Sequence, residues 1–410
     1  MTPEICEAAN ISRGGTGKLK QQKILILSDV TVGSAVPQIT LLARSLAAEL
    51  RAEVTIVEPD MKGRPHFYSD PAINVRRIST RMPPHHQLFL TEYARSLIKI
   101  YQEIGPDILV VMNAAVLPPL LLGRNKPKMV IYYMLESLDH QIALGGQHFF
   151  DMNRMATSLI DLVLVPEKRR FSVDSARLGW QDLPVREILN VGTNEARLRP
   201  SSPDICRFLF AGTLNRATGF DWLTDERLSE IHIDVAGPTD SESSKELLAA
   251  FLAKRNGNGQ RRYLGLLPHS ELVARMHDYA YRLVIWNADD INCFFASPNK
   301  YFESVANHVP PVCSPHPQLL ESNSKYRCSI LADGFEREDV VHAILDAVSI
   351  FHSNGYGRLL QGCAMAAEEE YLWSHQFRKI LDAVQSHTGK TPQRETFQEP
   401  LRVFTDSLIQ

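Results

Sequence analysis

No stretch of this chain is apolar for long enough to cross a membrane. The most apolar segment, Ile108 to Leu122, is broken by Asn113, Pro118 and Pro119, short of the ~20 apolar residues a span needs. Residues 1–22 lack the apolar core of a secretory signal. Cysteine is scarce: Cys6, Cys206, Cys293, Cys313, Cys328 and Cys363 form no C-x-x-C pair and no zinc-ligand spacing. A disulfide framework is not expected, and a reducing, cytoplasmic compartment is. Surplus charge is missing too. With 44 Lys+Arg against 47 Asp+Glu the net charge is -3, which leaves no bulk electrostatic case for nucleic acid.

What remains is the composition of a globular chain, 44% hydrophobic and 22% charged over 410 residues, enough for two domains. Residues 1–195 hold 22 Lys+Arg and 20 Asp+Glu, leaving 22 and 27 for residues 196–410. A glycine-rich segment, Arg13 to Lys18, lacks phosphate-loop spacing and precedes the first strand, so it belongs to a flexible tail over 1–22.

From residue 23 strands and helices alternate. Lys23–Ser28 is a continuous apolar run, as in a strand buried on both faces. Pro37 then opens a helix whose Ile39, Leu42, Leu46 and Leu50 share one face. Further strands are expected at 54–57, 108–112, 129–134, 162–165 and 185–189. Asn194 to Pro203 is the expected linker. A second series follows, with strands near 206–210, 231–236, 262–264, 283–286, 312–314 and 329–331. Helices are expected there at 222–230, 245–254, 271–279, 298–308, 337–351 and 358–369, and a polar tail over 386–410. The pattern predicts an α/β protein with two Rossmann-like, doubly wound domains, 23–195 and 196–385. Ligands in such sheets bind beyond the carboxyl ends of the strands, so the cleft between two of them is the expected site.

Two segments of the second half carry chemistry. In Phe208 to Phe220 a buried strand runs into Gly212, a polar loop, Arg216 and Gly219. Glycine lets backbone approach an anion, and arginine offers donors suited to phosphate. In Ala296 to Ser314, Ser297 and Pro298 have the chemistry of an N-cap and a first helical residue, with Lys300 in the first turn. A helix start of this kind attracts anions. Glu303 lies on the same helix, its carboxylate suited to two adjacent hydroxyls, and Pro310 and Pro311 end it.

Ser297-Pro298-Asn299-Lys300-Tyr301-Phe302-Glu303 followed by Val309-Pro310-Pro311-Val312 resembles the S-P-x-K-x-x-E signature of retaining, nucleotide-sugar-dependent glycosyltransferases of the GT-B fold. Phe210 to Leu214, Ile233 to Pro238, Tyr263 to Leu272, Asp161 to Pro166 and Asn190 to Thr193 match the same plan in order, over roughly residues 23–385. The resemblance implies a donor-binding domain at 196–385 and an acceptor-binding one at 23–195. It implies that Gly212 and Arg216 contact a diphosphate and that Ser297, Pro298, Asn299 and Lys300 hold it. Glu303 would bind ribose, and Gly265, Leu266, Leu267 and Pro268 would border the base.

The match breaks at two places. Phe295 stands where many of these enzymes place a second acid, and Thr213 where they place an arginine. Asn287, Asp289, Asp290 and Asn292 are the polar groups expected to serve the donor instead. If the course is inverting, a general base is needed in the first domain, and Asp29, Glu136, Asp139 and His140 are the candidates. No metal or resident cofactor is expected, since helix ends and basic side chains neutralise the leaving group.

The expected activity is transfer of a hexose-type sugar from a UDP- or GDP-linked donor to a glycan, lipid-linked or small-molecule hydroxyl, in glycan, polysaccharide or glycoconjugate synthesis. Arg81, Lys126, Lys128, Lys168, Arg169 and Arg170 suggest peripheral membrane contact through the first domain. The alternatives are a nucleotide-sugar epimerase on the same fold and a non-catalytic sugar-nucleotide-binding subunit.

Overall fold

The computed structural model describes residues 21–32, 36–60, 70–81, 87–124, 126–192, 203–239, 241–254 and 259–387, without the side chains of 87–89. The segment Arg13–Lys18, most of the two expected tails and most of Asn194–Pro203 lie outside these residues.

The first sheet contains β1 (Lys23–Leu27), β2 (Glu53–Pro59), β3 (Ile73–Ile78), β4 (Ile108–Met112), β5 (Met129–Tyr133), β6 (Leu162–Val165) and β7 (Val185–Glu187). They lie in the order β3-β2-β1-β4-β5-β6-β7, all parallel. The second sheet contains β8 (Arg207–Ala211), β9 (His232–Ala236), β10 (Arg261–Tyr263), β11 (Tyr281–Val284), β12 (Pro311–Cys313) and β13 (Ile330–Leu331). Its order, β10-β9-β8-β11-β12-β13, repeats the pattern, again all parallel. Each lobe is therefore the expected Rossmann-like sheet with flanking helices. Strand order reverses between β1 and β4, and between β8 and β11, and each reversal opens a crevice at the strand ends.

The strands follow from their composition. Ile24 to Leu27 and Ile108 to Met112 are fully buried, as a parallel sheet covered on both faces requires. β3 departs from that pattern and escaped the sequence reading. Arg76 and Arg77 interrupt its apolar residues, and it is an edge strand held by β2. Arg77 pairs with the buried Glu58 at 2.6 Å and Arg76 with Glu103 at 3.0 Å. The helix expected over 222–230 forms two short 3-10 turns instead, Phe220–Thr224 and Glu226–Leu228.

The chain ends its described course on the first lobe. In the helix Trp373–His387, the residues Trp373, Phe377, Ile380 and Val384 share one face and enter the core that contains Ile24, Ile26 and Leu46. Trp373 Nε1 donates to Ser45 Oγ at 2.8 Å, and Leu189 N to Gln376 Oε1 at 3.1 Å. Polar residues between the apolar ones conceal this helix in the sequence.

Candidate functional site

The two crevices share a cleft of about 360 Å³. The first lobe lines it with Gln38, Glu136 and Arg170, which follow the carboxyl ends of β1, β5 and β6. The second lobe contributes Trp286, Asn292 and Lys300.

Lys300 lies in the first turn of the helix Asn299–Ala306. Its Nζ sits 4.2 Å from the centre of the Trp286 ring and touches the space that a Cβ on Gly212 would fill. That contact requires glycine at 212. Gly212 is also followed laterally by Gly237 and Gly265. Gly212 N donates to the Ala236 carbonyl at 2.9 Å, and Gly237 N to the Gly265 carbonyl at 3.0 Å. Removal from water lowers the Lys300 ammonium, and the Arg282 charge lowers it further, to about 7. No carboxylate among the described residues pairs with Lys300. Glu303, one turn along the helix, is already engaged.

Glu303 is buried. Arg282 Nη1 donates to its Oε2 at 2.7 Å, and the ring Nε2 of His269 contacts Oε1. Burial alone would raise this carboxyl, but the His269 and Arg282 charges and hydrogen bonds overcome it and hold it at about 2. Sequence reasoning missed both partners. Arg282 sits inside the apolar run of β11, where a buried arginine itself signals a buried anion. His269 follows the Leu266-Leu267-Pro268 segment.

The expected cap on this helix is corrected. The N-cap position belongs to Pro298, without a side-chain cap bond. Ser297 Oγ is buried with no partner among the described residues. The Ser297 carbonyl instead accepts from Asn190 Nδ2 at 2.7 Å. Ser297, Pro298 and Asn299 do line the cleft.

The remaining donor-site candidates divide. Asn292 lines the cleft and bridges the lobes: its Nδ2 donates to Glu136 Oε2 at 3.0 Å, while Oδ1 accepts from Ser137 N at 2.9 Å and Arg170 Nη1 at 3.0 Å. Asp290 caps the short helix Ile291–Phe294 through Cys293 N, 2.6 Å away. Asn287 donates to Asp289 and keeps a buried Oδ1 with no partner among the described residues. Arg216 and Thr213 are exposed in the loop after β8 and do not line the cleft. Gly265 has a left-handed φ of 80°. Leu266 is 45% exposed, and Leu267 packs on Val273 and Met276 with their cluster.

Among the first-lobe candidates, Glu136 lines the cleft and Asp29 stands at the β1–β4 reversal. Asn113 Nδ2 donates to Asp29 Oδ2 at 2.9 Å, and Asn113 Oδ1 accepts from Leu135 N and Glu136 N at 3.0 and 3.1 Å. Asn113 holds a left-handed φ of 60° to do so. Desolvation raises Asp29 to about 7 against the pull of Asn113, with Glu136 adding to the rise. Asp139 faces outward to Arg177 at 2.6 Å. His140 donates its backbone N–H to Ser137 Oγ, and its ring does not line the cleft.

Arg81 pairs with Glu92, Lys128 with Asp107 and Arg169 with Glu167, while Arg170 turns into the cleft. Lys168 approaches Glu187. Among the described residues no helix is long and apolar enough to cross a membrane, and no three His, Cys, Asp or Glu side chains gather as for a metal.

No family model matches the chain, and no curated protein matches it in sequence. Solved structures do match its fold. A sucrose-phosphate synthase from Thermosynechococcus elongatus is similar with a TM-score of 0.71 at 14% identity, over 90% of this chain and all of that one. HepE from Anabaena, in complex with UDP and glucose, is similar at 0.65 and 13%, over 89% and 100%. A Listeria monocytogenes protein assigned as a UDP-N-acetylglucosamine 2-epimerase is similar at 0.62 and 13%, over 92% and 100%. At these identities the likeness is one of fold: two Rossmann-like lobes of the GT-B type.

Proposed function

We propose that the cleft binds a nucleoside diphosphate-sugar and transfers the sugar to a hydroxyl acceptor. One observation carries this reading: the Lys300 ammonium at the β8–β11 reversal, stacked on Trp286 beside Gly212, with no carboxylate among the described residues in a salt bridge with it. A cation held poorly solvated and unpaired favours an anionic ligand, and a diphosphate leaving group gathers negative charge as its bond to the sugar breaks. Arg170 adds a second cation to the same cleft. Glu303 is the acceptor for ribose hydroxyls, which take the place of His269 on Oε1. Glu136, which lines the cleft from the first lobe, is the carboxylate assigned to the acceptor hydroxyl.

HepE was solved with UDP and glucose, which makes UDP the first ligand to try, with GDP and ADP beside it. A correct nucleoside diphosphate raises the melting temperature by mass action. Lys300→Met is expected to abolish most of that shift, since a hydrogen-bonded charge pair is worth about 1.5–3 kcal/mol. An unchanged shift in the variant removes Lys300 from the site.

The epimerase reading is kept by the Listeria neighbour. Release of free nucleoside diphosphate only when a hydroxyl acceptor is present marks transfer. Interconversion of the nucleotide sugar without an acceptor marks the epimerase instead.

A further inference from the structure

The helix Pro37–Leu50 opens toward the cleft with no capping side chain, and its second residue is Gln38. Gln38 is 0% exposed and lines the cleft together with Lys300. Neither Nε2 nor Oε1 has a hydrogen-bond partner among the described residues. Asn190 also lines the cleft. Its Nδ2 is committed to the Ser297 carbonyl at 2.7 Å, which fixes the amide and leaves Oδ1 buried with no partner among the described residues. Ser297 Oγ is the third buried group of this kind in the same space. Buried polar atoms without partners are costly and rare, so several in one cleft mark the place of a ligand.

Their chemistry selects the ligand. Gln38 Oε1 and Asn190 Oδ1 are acceptors and need donors. An ionised diphosphate has no donor to offer and is repelled by carbonyl oxygens. A sugar hydroxyl both donates and accepts, which is what Gln38 demands with its two free atoms. Phe295, at the position where the sequence departs from the signature's second acid, does not line the cleft.

We propose that Gln38, with Asn190 Oδ1 and Ser297 Oγ, recognises the hydroxyls of the sugar carried by the nucleotide. Sugar recognition then falls mainly to the first lobe, and diphosphate binding to the second. The proposal rests on the donor-site reading above and adds to it the residues that select the sugar.

The test is calorimetric titration of the full chain and of Gln38→Met with UDP, UDP-glucose, GDP and GDP-mannose, with melting curves of both proteins ligand-free. Methionine keeps the length and removes both polar atoms. The variant is expected to bind the nucleoside diphosphate as before and the matching nucleotide sugar roughly three- to tenfold more weakly. Its ligand-free melting temperature is expected to hold or rise, because an unsatisfied buried amide has been removed. Equal weakening of diphosphate and nucleotide sugar, weakening of neither, or a clear fall in the melting temperature overturns the assignment of Gln38 alone. Failure of the unaltered chain to bind any of the four overturns the donor-site reading, and this one with it.

Discussion

Asp29 and Lys300 carry opposite charges on opposite lobes, yet both titrate near neutrality for one reason: each is kept from water without a full counter-charge. For Asp29 this has a sign that can be worked out. Its folded value of about 7 lies above the ordinary 3.8, so the folded state holds the proton more tightly than the unfolded chain. Its contribution to stability is full below pH 3.8, is lost progressively up to about 7, and stays lost above that. Asp29→Asn keeps an acceptor for Asn113 and removes the charge. The melting temperature of the variant relative to the unaltered chain is therefore expected to climb between pH 4 and 7 and then level off. A flat difference across that range would show that Asp29 is not the desolvated group described. Residues of this kind were partly legible. Lys300 and Glu303 stand out by their spacing on one helix. Gln38 does not, because only the buried surroundings of an amide distinguish it from any helical glutamine.

At the scale of elements, the second sheet ends three neighbouring strands in glycine: Gly212 after β8, Gly237 after β9 and Gly265 beyond β10. Two of them crowd an added side chain in different ways. A Cβ on Gly237 would strike the Gly212 carbonyl, which is backbone, whereas a Cβ on Gly212 would strike the tip of Lys300, which can move. Gly237→Ala is expected to cost about 1–3 kcal/mol of stability through backbone strain. Gly212→Ala is expected to cost less stability while displacing Lys300 and weakening nucleoside diphosphate binding. Denaturant melts paired with UDP and GDP titrations check both, and a reversal of the two outcomes would refute the packing described. The parallel strands themselves were readable from their apolar runs. Edge strand β3 was not, because its arginines are tolerated where one side of the sheet is open. The cap at Ser297 was misread because the hydroxyl that suits a helix start suits a cleft equally well.

At the scale of the whole molecule, the lobes are joined by side chains as well as by chain. Asn292 reaches Glu136, Ser137 and Arg170, and Gln318 Nε2 donates to the Pro166 carbonyl at 2.8 Å. The helix Trp373–His387 adds an apolar bond, with Trp373 1% exposed in a core to which both lobes contribute. Trp373→Ala is expected to cost about 3–5 kcal/mol and to lower the unfolding midpoint of the first lobe. Hydrogen exchange should show the loss in β1 and in the helix Pro37–Leu50. Protection lost only in the second lobe would contradict that packing. The two-lobed plan was legible in the alternation of strands and helices. The return of the chain was not, since six apolar residues in fifteen give no hint of which lobe they cover.

That return restricts motion. A single tether would let one lobe swivel in any direction about the other. Here the chain passes to the second lobe between β7 and β8, and the helix Trp373–His387 anchors it on the first lobe again. Together with the Asn292 and Gln318 contacts, this second attachment restrains the lobes relative to one another and keeps Gln38 and Lys300 in one cleft.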